Sequence, residues 1–295
     1  MEYIPAKSIV NRTKDPSWFG SDYTMNIYRG CCHGCIYCDS RSDCYRNGNF
    51  GQVKAKADAL RIIRDDLESK AKTGVVATGS MSDPYNPFEK DLLLTRHALT
   101  LLESYGFGTA IATKSDLIVR DADVLASINR TMPAICKVTL TTCDDELAAK
   151  VEPRAPSPSR RLAAVERLSA AGLFTGILMM PVLPFLEDSP ENIRALVNRA
   201  ADAGARFIYP ALGMTCRPGQ REYFYRQLEE RFPGQGLAER YRRRFGTRYR
   251  CPSPRARALW ELFQEECRRR GLLYSMGHIV AASRRGHETD QLSLF

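Results

Sequence analysis

No apolar run in the 295-residue sequence approaches the roughly 20 residues needed to span a bilayer. The opening stretch, Met1-Glu2-Tyr3-Ile4-Pro5, lacks the basic-then-apolar pattern of a secretory signal. These absences predict a soluble chain in the cytoplasm with no membrane partner. Short internal repeats and low-complexity segments are also missing. The chain is 44% hydrophobic and 26% charged, enough to bury a full core, so a disordered polypeptide is excluded. A second closely spaced cysteine pair is lacking too. Cys136, Cys143, Cys216, Cys251 and Cys267 stand apart, whereas four of the ten cysteines fall between Cys31 and Cys38. That distribution has no disulfide rhythm, and the crowding points to ligation of a metal or cluster.

Lysine is absent between Cys216 and Arg270, where fifteen arginines face seven glutamates, so this stretch carries +8 of the net +9. A surplus made only of arginine favours planar, bidentate contacts to phosphate and predicts an anionic partner, with nucleic acid the leading choice. A solvated helical face with Glu–Arg pairs accounts for the same composition. Tyr223, Phe224, Tyr225, Tyr241, Phe245, Tyr249 and Trp260 interleave with the arginines. Exposed rings beside phosphate-binding arginines suit a single-strand binder, although most aromatics at helical spacing belong to a core.

Strand-like stretches at 24–28, 75–78, 109–113, 135–139, 175–180 and 206–211 alternate with amphipathic runs at 54–70, 92–104, 121–128, 158–171 and 190–203. Strand, helix and strand in succession imply a parallel sheet of about six βα units. That is too few for a closed eight-stranded barrel, so the expected α/β fold is a partial (β/α)6, TIM-like barrel. Its chemistry should sit at the carboxyl ends of the strands. The expected divisions are an N-terminal extension at 1–20, the barrel at 21–215, an Arg-rich helical extension at 216–283 and an exposed tail at 284–295. Helices are expected in the extension at 220–231, 236–244 and 254–270.

Directly after the first strand comes Arg29-Gly30-Cys31-Cys32-His33-Gly34-Cys35-Ile36-Tyr37-Cys38-Asp39. Cys31, Cys35 and Cys38 supply three thiolates from one tight loop, and Gly30 and Gly34 permit close backbone approach. Three thiolates leave the fourth iron of a [4Fe–4S] cubane open. An open iron can chelate the amino and carboxylate groups of S-adenosylmethionine and pass an electron to its sulfonium. The competing reading is a zinc site closed by a fourth Cys or His, for which Cys32 and His33 are the nearby candidates. Cys32 could also replace Cys31 in a CxxCxxC register, a poorer fit. Cys32 and Cys44 otherwise read as bystanders.

The spacing, with Tyr37 just before the last cysteine, resembles the radical S-adenosylmethionine (radical SAM) superfamily. The stretch Gly79-Ser80-Met81-Ser82-Asp83-Pro84-Tyr85-Asn86-Pro87-Phe88-Glu89, followed by Leu94-Thr95-Arg96, looks like the spore photoproduct lyase branch, with its "DNA repair photolyase" relatives. Thr113-Lys114-Ser115, Arg120-Asp121, Glu152-Pro153-Arg154-Ala155-Pro156 and Pro181-Val182-Leu183-Pro184 recur there in the same order. The resemblance covers roughly residues 20 to 215. It implies a [4Fe–4S] cluster on Cys31, Cys35 and Cys38, S-adenosylmethionine as cosubstrate, and an electron donor such as flavodoxin or ferredoxin. Among cofactor-binding positions it implies Tyr37 against the adenine, Ser82 and Asp83 at the amino end, and Lys114 at the carboxylate or ribose, with Thr139 or Thr141 nearby. Ser80 stands at the same rim, where spore photoproduct lyases carry a hydrogen-donating cysteine. A serine O–H is a far poorer hydrogen-atom donor, which puts dimer repair by that route in doubt and makes Cys143 a candidate donor. Glu152 and Arg154 fit either a structural pair or a ligand contact.

The chain ends in Gln291-Leu292-Ser293-Leu294-Phe295, which looks like the pentapeptide that docks bacterial DNA-handling proteins on the sliding clamp. Leu292, Leu294 and Phe295 would be apolar anchors and Gln291 a bidentate amide. The same residues could instead dock back on their own domain. The expected function is a radical enzyme acting on DNA or another nucleic acid. The alternatives are a radical enzyme for a small metabolite or peptide, and a non-enzymatic metal module at the clamp.

Overall fold

The computed structural model describes residues 1–45 and 48–287. Its main sheet has six parallel strands in chain order: Tyr23–Met25, Val75–Thr78, Gly108–Thr113, Ala134–Thr139, Phe174–Met179 and Phe207–Pro210. Each strand lies beside its predecessor, and the order never doubles back, as a partial barrel requires. The strand Val10–Arg12 pairs antiparallel on the first strand. At the far edge Leu273 bridges to Phe207. The expected partial (β/α)6 architecture is therefore present, with helices following at the carboxyl end.

Side chains alternate across the sheet because successive Cβ atoms point to opposite faces. Val76, Ile111, Val138 and Ile177 face the covering helices in the largest core cluster. Val75, Ala110, Ile135, Leu178 and Phe207 face the interior with Phe19 and Ile279. Small residues at Ala110, Ala112 and Gly176 leave room inside the curve, and a Cβ at Gly176 would lie 2.4 Å from the Phe207 ring. Two covering helices, Pro158–Ala170 and Pro190–Asp202, begin with the same device. Ser157 and Ser189 accept backbone hydrogen bonds as N-caps, and the following proline already has helical φ.

The first 20 residues, expected as an N-terminal extension, contribute to both sheets. Glu2–Ile4 pairs with Lys54–Lys56, which also pairs with Tyr28–Arg29 in a small second sheet. Phe19 closes the barrel floor against Phe207. The run expected as a helix from 54 thus starts as a strand, and the helix proper is Ala59–Glu68.

At the expected boundary near 215, Gly213–Thr215 pairs antiparallel with Arg250–Pro252. The helices Gln220–Arg231, Leu237–Phe245 and Ala256–Arg270 match the expected runs closely. Phe224, Tyr225, Tyr241 and Phe245 are core, whereas Tyr249 and Trp260 are exposed. Met276–Arg284 follows as a last helix, so the tail expected from 284 begins inside described structure. The clamp-like pentapeptide Gln291 to Phe295 lies outside the described residues. Among the described residues no helix is long and apolar enough to cross a membrane.

Candidate active site

The cysteine loop owes its shape to two glycines and a set of backbone bonds. Gly30 and Gly34 have φ of +78° and +73°. A Cβ at Gly30 would lie 2.3 Å from the Gln52 carbonyl oxygen, so no other residue fits there. The Cys31 N–H donates to Phe50 O, and the Ile36 N–H donates to Val151 O, each at 2.9 Å. From the other side, the Arg154 N–H donates to His33 O at 3.0 Å and its Nε to Cys32 O at 2.6 Å.

Burial pushes the Cys31 thiol up to about 12 and raises Cys35 and Cys38 as well. Lys114 acts against that rise at Cys35 and Cys38. All ten cysteines are free. Among the described residues no three His, Cys, Asp or Glu side chains converge on a single-ion site. The two candidates for a fourth zinc ligand are engaged elsewhere. His33 Nδ1 lies 3.4 Å from Asp83 Oδ2, and Cys32 packs against the main core.

Beside the loop opens a cavity of about 740 Å³. Tyr37 and Cys38 form one wall. The carboxyl ends of four strands form the rest, through Ser80, Lys114, Met180 and Ala211, and the ladder containing Gly213 and Arg250 covers it. Lys114 Nζ stands 5.6 Å from the centroid of the Tyr37 ring and 3.8 Å from Glu152 Oε1. The Tyr37 hydroxyl donates to Glu152, and the Arg161 guanidinium grips the other carboxylate oxygen. Burial would raise the Glu152 carboxyl, but Arg161 and Lys114 outweigh it and hold the group below the usual range.

The other expected residues stand behind the cavity. Ser82 donates to Gly30 O, and Asp83 accepts from Thr113 Oγ1 at 2.7 Å and from the Lys114 N–H at 2.8 Å. The pair ties the cysteine loop to the second and third strands and does not line the cavity. Thr139 offers its carbonyl to Arg161 Nη1 at 2.9 Å. Thr141 lies beyond the strand end and donates to Glu187 Oε1 at 2.7 Å. Cys143 is not among the lining residues. It packs on the outer core, near Arg199 and Asp145, with its thiol pushed by burial to about 11.

Two participants, Arg161 and Glu187, were not singled out from the sequence, and a third, Glu89, stood there only as the end of the Gly79–Glu89 stretch. Arg161 is a charge on an otherwise apolar helical face, with Val165 and Leu168 following at i+4 and i+7, and that anomaly was the available signal. Glu187 is fully buried, its carboxyl pushed by burial up to about 8, and it accepts from the Leu183 N–H at 2.9 Å. Glu89 ties Tyr28 to Arg120 beneath the loop. Nothing in the spacing of Glu187 marked it, and the motif that ends in Glu89 gave that residue no role.

A family model described as the radical SAM superfamily matches residues 25–208. An uncharacterized protein of Mycobacterium tuberculosis is 32% identical over 246 residues, covering 81% of this chain and 72% of its own length. One from Methanocaldococcus jannaschii is 32% identical over 187 residues, covering 63% of this chain and 68% of its own. Among solved structures, a cysteine-to-serine variant of spore photoproduct lyase superposes with a TM-score of 0.68 at 15% identity, covering 93% of this chain and 81% of that one. The radical S-adenosylmethionine methyltransferase TsrM from Kitasatospora setae, with tryptophan substrate and a SAM analog bound, gives 0.57 at 13% identity, covering 90% and 58%. At such identities the likeness shows the fold. The family-model match spans most of the chain, and on that ground this chain belongs to the radical SAM superfamily and is a radical SAM enzyme.

Proposed function

We propose that Cys31, Cys35 and Cys38 hold a [4Fe–4S] cluster and that S-adenosylmethionine occupies the cavity beside them. The carrying observation is that three free cysteines, Cys35 buried and Cys31 and Cys38 half-buried, share one loop that meets the cavity at Cys38, while His33 and Cys32 are drawn elsewhere. That donor set fits a cubane with one open iron better than a closed zinc site. When bound, the cluster supplies the electron that cleaves the sulfonium reductively. The chain's own residues orient and enclose. The Tyr37 ring offers a face for the adenine, and its hydroxyl is fixed by Glu152, itself held by Arg161. The Lys114 ammonium faces the same space and would meet a carboxylate or ribose oxygen. Ser82 and Asp83 act as braces for the loop. Ser80 lines the wall without a thiol to give a hydrogen atom, so the reaction need not be that of spore photoproduct lyase.

For the substrate we infer nucleic acid. The support is the arginine surplus of the C-terminal helices, the clamp-like C-terminal pentapeptide, and a structural neighbour solved with a dinucleoside spore photoproduct. The test is binding of single- and double-stranded DNA to the reconstituted protein over a salt series, with 5′-deoxyadenosine followed under dithionite. Phosphate contacts predict affinity falling steeply with salt. Salt-independent affinity for a small metabolite or peptide would replace the nucleic-acid reading while leaving the radical chemistry in place.

A further inference from the structure

A second concave surface of about 540 Å³ meets the cysteine loop from another quarter. It shares no lining residue with the cavity beside Tyr37 and Cys38, touching the loop instead at His33. Five cations line it, Lys90, Arg120, Arg154, Arg160 and Arg167, against the single carboxylate of Asp116. Arg160 is paired with Asp116, and Arg120 with Glu89 and Asp121. Lys90, Arg154 and Arg167 are exposed and have no carboxylate partner among the described residues. Arg154 is the structural link. Its Nε donates to Cys32 O at 2.6 Å, and its guanidinium stands 3.3 Å from where a Cβ on Gly34 would be.

Unpaired cations gathered at a concave surface focus a positive potential there and steer an anionic partner toward it. Their position on the back of the loop narrows the visitor. Substrate must reach the cavity on the Tyr37 side, where the radical is generated, whereas an electron need only reach the cluster. We propose that this basin docks a small acidic one-electron carrier protein, with its acidic rim on Lys90, Arg154 and Arg167. The inference rests on the reading of the loop as a cluster site. In the step served, the reduced carrier gives up one electron and the cluster gains it, with no bond made or broken in the protein.

The test uses the full chain and the double charge reversal Lys90→Glu/Arg167→Glu, which leaves the loop contacts of Arg154 intact. A reduced flavodoxin serves as the probe carrier. Its affinity, measured directly by biolayer interferometry, should fall roughly tenfold or more in the variant and decline with salt in the parent protein. The rate of 5′-deoxyadenosine formation should fall similarly with flavodoxin as donor, yet stay within about twofold with dithionite, which needs no docking surface. Unchanged flavodoxin affinity in the variant overturns the proposal whether or not the protein turns over. Loss of DNA affinity with unchanged flavodoxin affinity would overturn it in favour of a nucleic-acid surface. Failure of the parent protein to cleave S-adenosylmethionine with dithionite would count against the reading of the loop, a separate result from the binding measurement.

Discussion

Replacing Arg161 with leucine should be among the most costly single changes in the chain, and the reason lies in what one guanidinium holds. Its side chain is 1% exposed. It pairs with Glu152 and donates to Pro156 O at 2.6 Å and to Thr139 O at 2.9 Å. Leucine fills much of the volume but leaves a buried carboxylate without its main partner. Breaking a buried ion pair from one side costs about 3–5 kcal/mol, and orphaned carbonyls add to that. Lys114, 3.8 Å from Glu152, offsets part, so about 3–5 kcal/mol is the expected net loss at pH 7. Urea unfolding followed by far-UV circular dichroism reads it.

The pH dependence of the same variant carries a sign. In the parent protein the Glu152 carboxyl is held below its ordinary value, so its contribution is present above the unfolded carboxylate range and lost as pH falls through the folded value. Without Arg161 burial wins, the carboxyl rises, and protonation relieves the penalty. The deficit of Arg161→Leu should therefore shrink between pH 7 and pH 5. The double change Glu152→Gln/Arg161→Leu should recover part of it at pH 7. A loss below about 1 kcal/mol at pH 7 would refute the view that this pair braces Tyr37 and the cavity wall.

Gly30→Ala should leave far-UV circular dichroism near that of the parent but sharply reduce iron bound after reconstitution, because the new Cβ would collide with Gln52 O. Normal iron loading would show that the loop tolerates a shift there. Glu187→Gln mimics the protonated carboxyl, keeping an acceptor for the Leu183 N–H. The parent carboxyl is raised to about 8, so the unfolded state ionises first and the parent loses stability from its ordinary carboxylate range up to about 8. The variant should gain on the parent by up to about 1.4 kcal/mol per pH unit across that window, read by urea melts, and a pH-independent difference would refute the raised value.

Much of this was legible because periodicity carries the barrel. The strands from Val75–Thr78 to Phe207–Pro210 match their sequence-based bounds within one or two residues, since each is an apolar run set between clear helical faces. The first strand is shorter than expected, ending at Met25 before the chain turns into the small sheet at Tyr28–Arg29. Lys54–Lys56 gave no strand signal because its pairing depends on Tyr28 and Glu2, far away in sequence. The cysteine loop announced itself through spacing alone. The roles around it did not follow from spacing. Ser82 and Asp83 sit at a strand end as expected, but Ser82 donates to the loop's backbone at Gly30 and Asp83 accepts from Thr113 and the Lys114 N–H at the end of the third strand, and neither lines the cavity. Glu152, readable as a ligand contact or an ion-pair partner, proves to be the hub that joins Tyr37, Lys114 and Arg161. Buried networks of this kind are specified by tertiary contacts, which a local pattern does not encode.

The most direct test of the central claim is the metal content of the loop after anaerobic reconstitution, with Mössbauer spectroscopy to define the species. The account predicts about four irons and four sulfides per chain as a cubane. Adding S-adenosylmethionine should perturb one iron site, and a triple Cys31→Ala/Cys35→Ala/Cys38→Ala variant should lose all of it. One tightly held zinc per chain, coordinated by these cysteines together with Cys32 or His33, would contradict the account.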